Sequence, residues 1–172
     1  SHLKSLAMVN ATLAINVGED PGDEVSVLLS ANPGSPLLPL TKVASGGELA
    51  RTMLALRLVL TQAPGTLVFD EVDAGIGGTA AVAVAAALAD LGHRHQVLVV
   101  THLAQVAAAA TTQVNVTKTV RDNQTFAEAS ILSGENRVAE IARMLSGGVA
   151  EGSANEHARD LLSANYGKKP RG

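Results

Sequence analysis

Through the middle of the chain, apolar residues at helical spacing alternate with short unbroken apolar runs. Leu49, Met53, Leu56 and Leu60 form a helical stripe, and Pro64-Gly65 stops it. Thr66 to Phe69 is a short apolar run between that breaker and two acids, which predicts a buried strand of a parallel sheet. Gly78 to Leu91 reads as an Ala-rich helix ended by Gly92. Gln96 to Val100 reads as a second buried strand, and a short Ala-rich helix follows through Ala110. Strand, helix, strand, helix in this order predicts a parallel α/β core.

The flanks carry other patterns. Ala11 to Val17 and Val25 to Ser30 read as strands around a turn at Gly18 to Asp23, and Asn32 to Pro39, rich in Pro and Gly, reads as a loop. Gln113 to Val120 and Thr125 to Leu132 flank Arg121-Asp122-Asn123-Gln124, which predicts a hairpin. Val138, Ile141, Ala142 and Leu145 place a helix before Gly147-Gly148, and Ala158, Leu161 and Leu162 suggest a last one.

Composition narrows this picture. At 172 residues the chain fits one domain with a sizeable core, but aromatics are only 2%, so Ala, Val and Leu must build that core. There are no cysteines, which excludes disulfides and thiolate metal sites and suits a cytoplasmic protein. The longest apolar run, Ala80 to Ala89, is too short to span a bilayer, so no membrane role is expected. A net charge of −3 excludes a generally basic DNA-binding module. The basic cluster Lys168-Lys169-Pro170-Arg171 reads as a solvated tail.

Candidate chemistry lies in three ordered segments. Ser45 and Glu48 form an S-x-x-E capping box at the start of the first helical stripe. Gly46 and Gly47 just inside it leave backbone N–H groups uncovered, as a phosphate-binding helix end requires. Asp70 and Glu71 follow the first core strand, at the carboxyl edge where α/β sheets bind ligands. In nucleotide hydrolases an apolar strand ending in Asp is the Walker B element, whose carboxylate helps hold Mg²⁺, and a second acid beside it can act as general base. His102 ends the second core strand and can donate to a terminal phosphate. Each segment also has an ordinary reading: a capped helix, a turn acid, a surface histidine.

Two other patterns are weaker. Gly75-Ile76-Gly77-Gly78-Thr79-Ala80 matches a dinucleotide fingerprint. Its glycines, however, do not directly follow the strand, and Asp70, Glu71 and Asp73 intervene. His93-Arg94-His95 reads as a solvated turn rather than a metal site. Arg51 is placed either to reach a phosphate or carboxylate or to pair with Glu48 in solvent.

Taken together, the segments resemble the signature motif, Walker B and switch histidine of the ATP-binding-cassette ATPases. Within that superfamily the chain most resembles the RecN family of SMC-like bacterial proteins of DNA double-strand-break repair. The resemblance rests on Lys42 to Arg51, Phe69 to Gly78 and Val100 to Ala107, and extends from about Val25 to Gly148. Ala104 departs from it, standing where that family often has proline.

The resemblance implies the carboxyl-terminal lobe of an SMC-type P-loop ATPase head, with a mainly parallel sheet flanked by helices and an antiparallel hairpin at the end. It implies ATP and Mg²⁺ as cofactors, with Asp70 on the magnesium shell, Glu71 activating water and His102 on the γ-phosphate. Ser45, Gly46, Gly47 and Glu48 would serve the ATP of a second copy, and Asp73 would connect the two sites of a head-to-tail dimer. It further implies engagement of DNA by the full-length protein and a cytoplasmic, nucleoid-associated location.

No G-x-x-x-x-G-K-[ST] loop occurs, and no glutamine precedes Gln62. Both would belong to an amino-terminal lobe carrying Walker A, so this chain is expected to be inactive toward ATP by itself. Residues 1–10 are expected to hold a tag remnant at Ser1-His2 and the end of a coiled-coil helix over Leu3 to Asn10, and residues 11–172 the half-head. Two alternatives remain: another cassette ATPase (SMC, RecF-like or transporter), and a non-catalytic interaction module.

Overall fold

The computed structural model describes residues 2–19, 24–43, 45–60, 65–121, 123–147 and 152–166. Most of the Gly18 to Asp23 turn, Pro64, Asp122, Gly148 and the basic tail lie outside the described residues. The chain divides into two compact units, Ser1–Thr101 and His102–Gly172.

In the first unit, β1 (Thr12–Val17), β2 (Val25–Ser30) and β3 (Leu38–Pro39) form an antiparallel sheet in that order. Thr12 pairs with Ser30, and Leu28 with Pro39. The segment expected to be loop through Pro39 therefore ends in a short strand. Its backbone groups pair with β2, a partner that local composition cannot announce.

The remaining elements of this unit are α1 (His2–Ser5), α2 (Gly46–Val59), β4 (Thr66–Phe69), α3 (Gly78–Gly92) and β5 (Gln96–Val99). β4 and β5 are parallel, with Leu67 opposite Val97 and Val68 opposite Leu98. This pair is the parallel part of the sheet structure among the described residues. Leu67 and Phe69 are buried, whereas Val68 on the other face is 66% exposed and Leu98 is 52% exposed. The strand expected to be buried on both faces is thus covered on one.

The amino-terminal residues pack within this unit. The helix there spans only His2–Ser5, Ala7 takes a left-handed backbone, and Leu3, Leu6 and Met8 are core residues. Apolar burial of Leu3, Leu6 and Met8 ties this segment to the core of the unit.

The stripe on α2 is corrected as well. The buried positions are Gly47, Arg51, Thr52, Leu54 and Ala55, while Met53 and Leu60 are exposed. The buried face carries two polar residues, so its hydrophobic periodicity is hidden in the sequence. Thr52 donates to the Glu48 carbonyl at 2.8 Å, which makes its burial tolerable. Leu54 is fully buried, so Leu54→Ala is expected to cost about 2–5 kcal/mol. Met53→Ala should cost clearly less. Urea unfolding of the two variants checks which face packs, and the reverse order would refute this assignment.

The second unit holds α4 (Ala104–Ala109), the hairpin β6 (Gln113–Arg121) and β7 (Gln124–Leu132), α5 (Gly134–Ser146) and α6 (Gly152–Tyr166). Val114 pairs with Ile131, and Arg121 with Gln124, across the expected hairpin. Asn123 takes a positive φ, as a tight two-residue turn demands. Ala104, Ala107, Ala108, Val138, Ile141, Ala142 and Ala158 form the core of the three helices. Small alanines let the helices approach closely, which explains a core without aromatics. Buried Arg137 donates to the carbonyls of Ala107, Ala108 and Ala110, closing the carboxyl end of α4.

Candidate functional site

α2 begins where its capping chemistry predicts. Ser45 is the N-cap with extended backbone, and its hydroxyl accepts from the Glu48 N–H at 3.4 Å. Gly46 is exposed and Gly47 is buried. A Cβ on Gly46 would meet Glu71 Oε2 at 2.8 Å, and one on Gly47 would meet the Ala74 carbonyl at 2.7 Å. Gly47 is thus required for close approach of the acid-loop backbone, whereas a side chain at Gly46 would only push the flexible end of Glu71 aside.

Asp70 and Glu71 are both exposed at the carboxyl end of β4. Glu71 has φ of 56°, a left-handed conformation uncommon for a residue with a side chain. The chain then turns tightly, Ala74 N–H donating to the Glu71 carbonyl at 3.0 Å. Val72 is fully buried and Asp73 is 1% exposed. Thr101 Oγ1 donates to Asp73 Oδ2. The Asp73 carboxylate thus has a hydrogen-bond partner within its own unit.

Arg51 is the residue that sequence reasoning placed wrongly. Instead of a solvated partner of Glu48, it is 6% exposed, and its Nη1 donates to the carbonyls of Ala74 at 2.8 Å and Val72 at 3.4 Å. Desolvation lowers its pKa, and the charge of Glu48 partly offsets that. No local signal could reveal this, because the acceptors are backbone atoms far along the chain.

The structure therefore brings Ser45, Gly46, Gly47 and Glu48 together with the Glu71 to Ala74 turn. A groove of about 340 Å³ runs beside them, between Met53 and Arg57 of α2 and Val68 and Asp70 at β4. His102 is exposed and begins the second unit. The His93 to His95 segment is a turn after α3, with Arg94 4.0 Å from Asp90, as the solvated reading holds. α3 starts at Gly78, several residues beyond the end of β4, so the dinucleotide fingerprint does not sit on the strand turn. No described helix is long and apolar enough to cross a membrane.

Backbone comparison defines the class. The fold is that of a lobe of an SMC-type head. The Smc head domain with a coiled coil and joint from Pyrococcus yayanosii matches 85% of this chain and 27% of its own, with a TM-score of 0.60 and 20% identity. An Smc head domain from Pyrococcus furiosus, with an extended coiled coil and bound to the carboxyl-terminal domain of ScpA, matches 84% of this chain and 35% of its own, with a TM-score of 0.54 and 20% identity. No family model matches the chain.

Sequence comparison is more particular. The chain is 55% identical over 140 residues to DNA repair protein RecN of Deinococcus radiodurans, covering 81% of this chain and 25% of that protein. To the RecN of Streptomyces coelicolor it is 44% identical over 182 residues, covering 94% of this chain and 32% of that protein. The chain belongs to the RecN family, and it spans about a quarter to a third of the length of these relatives.

Proposed function

We propose that this chain is the carboxyl-terminal lobe of the ATPase head of an SMC-like DNA repair protein. Residues 11–172 form its half of the head. One observation carries the reading: the capped, glycine-opened start of α2 lies against the turn that presents Glu71. A helix end suited to phosphate and a carboxylate able to activate water are thereby brought side by side.

The amino-terminal lobe of the same protein supplies the Walker A loop for the nucleotide held in cis. Exposed Val68, Leu98 and Val100 on one face of the parallel pair support its docking there, since parallel sheets are normally covered on both faces. The family relatives are three to four times longer than this chain, which leaves ample sequence for such a lobe.

Glu71 draws the proton from the attacking water, and His102 donates to the γ-phosphate. Asp70 fits a magnesium shell, being an exposed carboxylate of the kind that Mg²⁺ takes together with phosphate oxygens and water. When bound with the nucleotide, Mg²⁺ neutralises phosphate charge. Ser45 and the N–H groups of Gly46 and Gly47 grip the γ-phosphate of a second head's ATP, with Glu48 completing the cap. Two heads thus close head to tail on two ATP molecules, and hydrolysis releases them. The repair function in the name of the relatives supports coupling this cycle to DNA; within that reading the DNA engaged is a double-strand end, in the cytoplasm at the nucleoid.

The lobe alone should neither bind nor hydrolyse ATP appreciably, because it has no loop for the β-phosphate. Isothermal titration with Mg-ATP checks this against the full-length protein. Micromolar binding by this chain, or none by the full-length protein, would overturn the half-site reading.

A further inference from the structure

Arg51 has no role in the scheme just given, yet it occupies the contact between signature helix and acid loop. Its burial is hard to explain as a stabilising device alone. A buried guanidinium is desolvated, and here Nε has no hydrogen-bond partner among the described residues. An apolar residue of similar length would fill the space without that cost.

What Arg51 holds is specific. Its Nη1 binds the carbonyls of Val72 and Ala74, the two residues flanking Asp73, while Thr101 binds the Asp73 carboxylate from the end of β5. The turn is therefore pinned at three successive residues from two sides. Immediately before them stands Glu71 in its left-handed conformation. A conformation of this kind persists only where the surrounding structure over-determines it.

We infer that Arg51 is a positioning residue for Glu71: by fixing the turn after it, Arg51 keeps the Glu71 carboxylate beside the start of α2. This rests on the proposed ATPase reading. It adds that the helix end offered to a partner's nucleotide is bolted, through one side chain, to the general base of its own head.

The test uses the full-length protein carrying Arg51→Met, which keeps an unbranched apolar stem, and Arg51→Lys, which keeps a charged donor. Arg51→Met is expected to lower kcat by about ten- to a hundredfold, the loss typical of a misplaced catalytic group. KM for ATP and ATP-dependent dimerisation should stay near wild type, and Arg51→Lys should recover part of the rate. Adding Arg51→Met to Glu71→Gln should slow turnover no further, because both changes remove the same function. An additive loss, or a loss of dimerisation with unchanged kcat, would overturn the inference.

Hydrogen exchange gives a readout independent of turnover. The Ala74 amide should exchange faster in Arg51→Met, and unchanged exchange there would overturn the clamp itself. A wild-type protein without ATPase activity, with faster exchange in the variant, would instead overturn the hydrolysis reading and the catalytic part of this inference with it.

Discussion

Full-length protein carrying Glu71→Gln should bind ATP as wild type does but turn it over about 10²–10⁴-fold more slowly, the usual cost of losing a general base. The amide is nearly isosteric with the carboxylate, so the close packing of Glu71 Oε2 against Gly46 is kept. It is also neutral and cannot accept the proton of the attacking water. Glu71 is exposed, so the substitution leaves no buried group unpaired and should change stability little. With hydrolysis stopped, the ATP-closed dimer should accumulate. Size-exclusion chromatography with ATP should show the variant more dimeric than wild type. Wild-type turnover in the variant would remove Glu71 from this role.

Ser45→Arg should abolish hydrolysis while leaving each head's own nucleotide binding intact. The new side chain would block the helix end that, in the proposed dimer, faces the partner's γ-phosphate. The lost cap, a long 3.4 Å hydrogen bond, should cost no more than about 0.5–2 kcal/mol of stability. Mixing separates a trans role from a local one. One head carries Ser45→Arg and the other a disrupted Walker A lysine, so each homodimer has two dead sites. In the mixed dimer both lesions fall on one composite site, and the other has an intact lysine facing an intact Ser45. Mixing should therefore restore up to about half of wild-type activity if the sites act independently. No recovery, with mixed dimers shown to form, would mean that Ser45 acts in cis or that both sites must fire together. Nucleotide trapping in the mixed dimer then tells these apart.

The parts of the site that were legible in the sequence are those set by local chemistry. Ser45 caps α2 because a hydroxyl three residues before an N–H can satisfy it without help from elsewhere. Asp70 and Glu71 follow β4 because an apolar run must end where the backbone leaves the sheet. The β6–β7 hairpin and the helices α3, α5 and α6 were likewise visible from periodicity and turn residues a few positions apart. Local patterning thus determined where the elements lie and which residues stand at their ends.

Tertiary structure alone decided which way several of those residues face. Arg51 and Asp73 are charged and are expected in solvent by default, yet both are buried, because their partners lie 21 to 28 residues away in the chain. Met53 matched a helical stripe but is exposed, because buried Arg51 and Thr52 turned the packing face of α2 away from it. Leu3, Leu6 and Met8 became core because neighbouring helices cover them, and Val68 stayed exposed because no described residue does. Spacing along a chain reports only neighbours within a turn or two. Burial and hydrogen bonding between distant segments depend on how the elements are brought together, and that is what joins the start of α2 to Glu71.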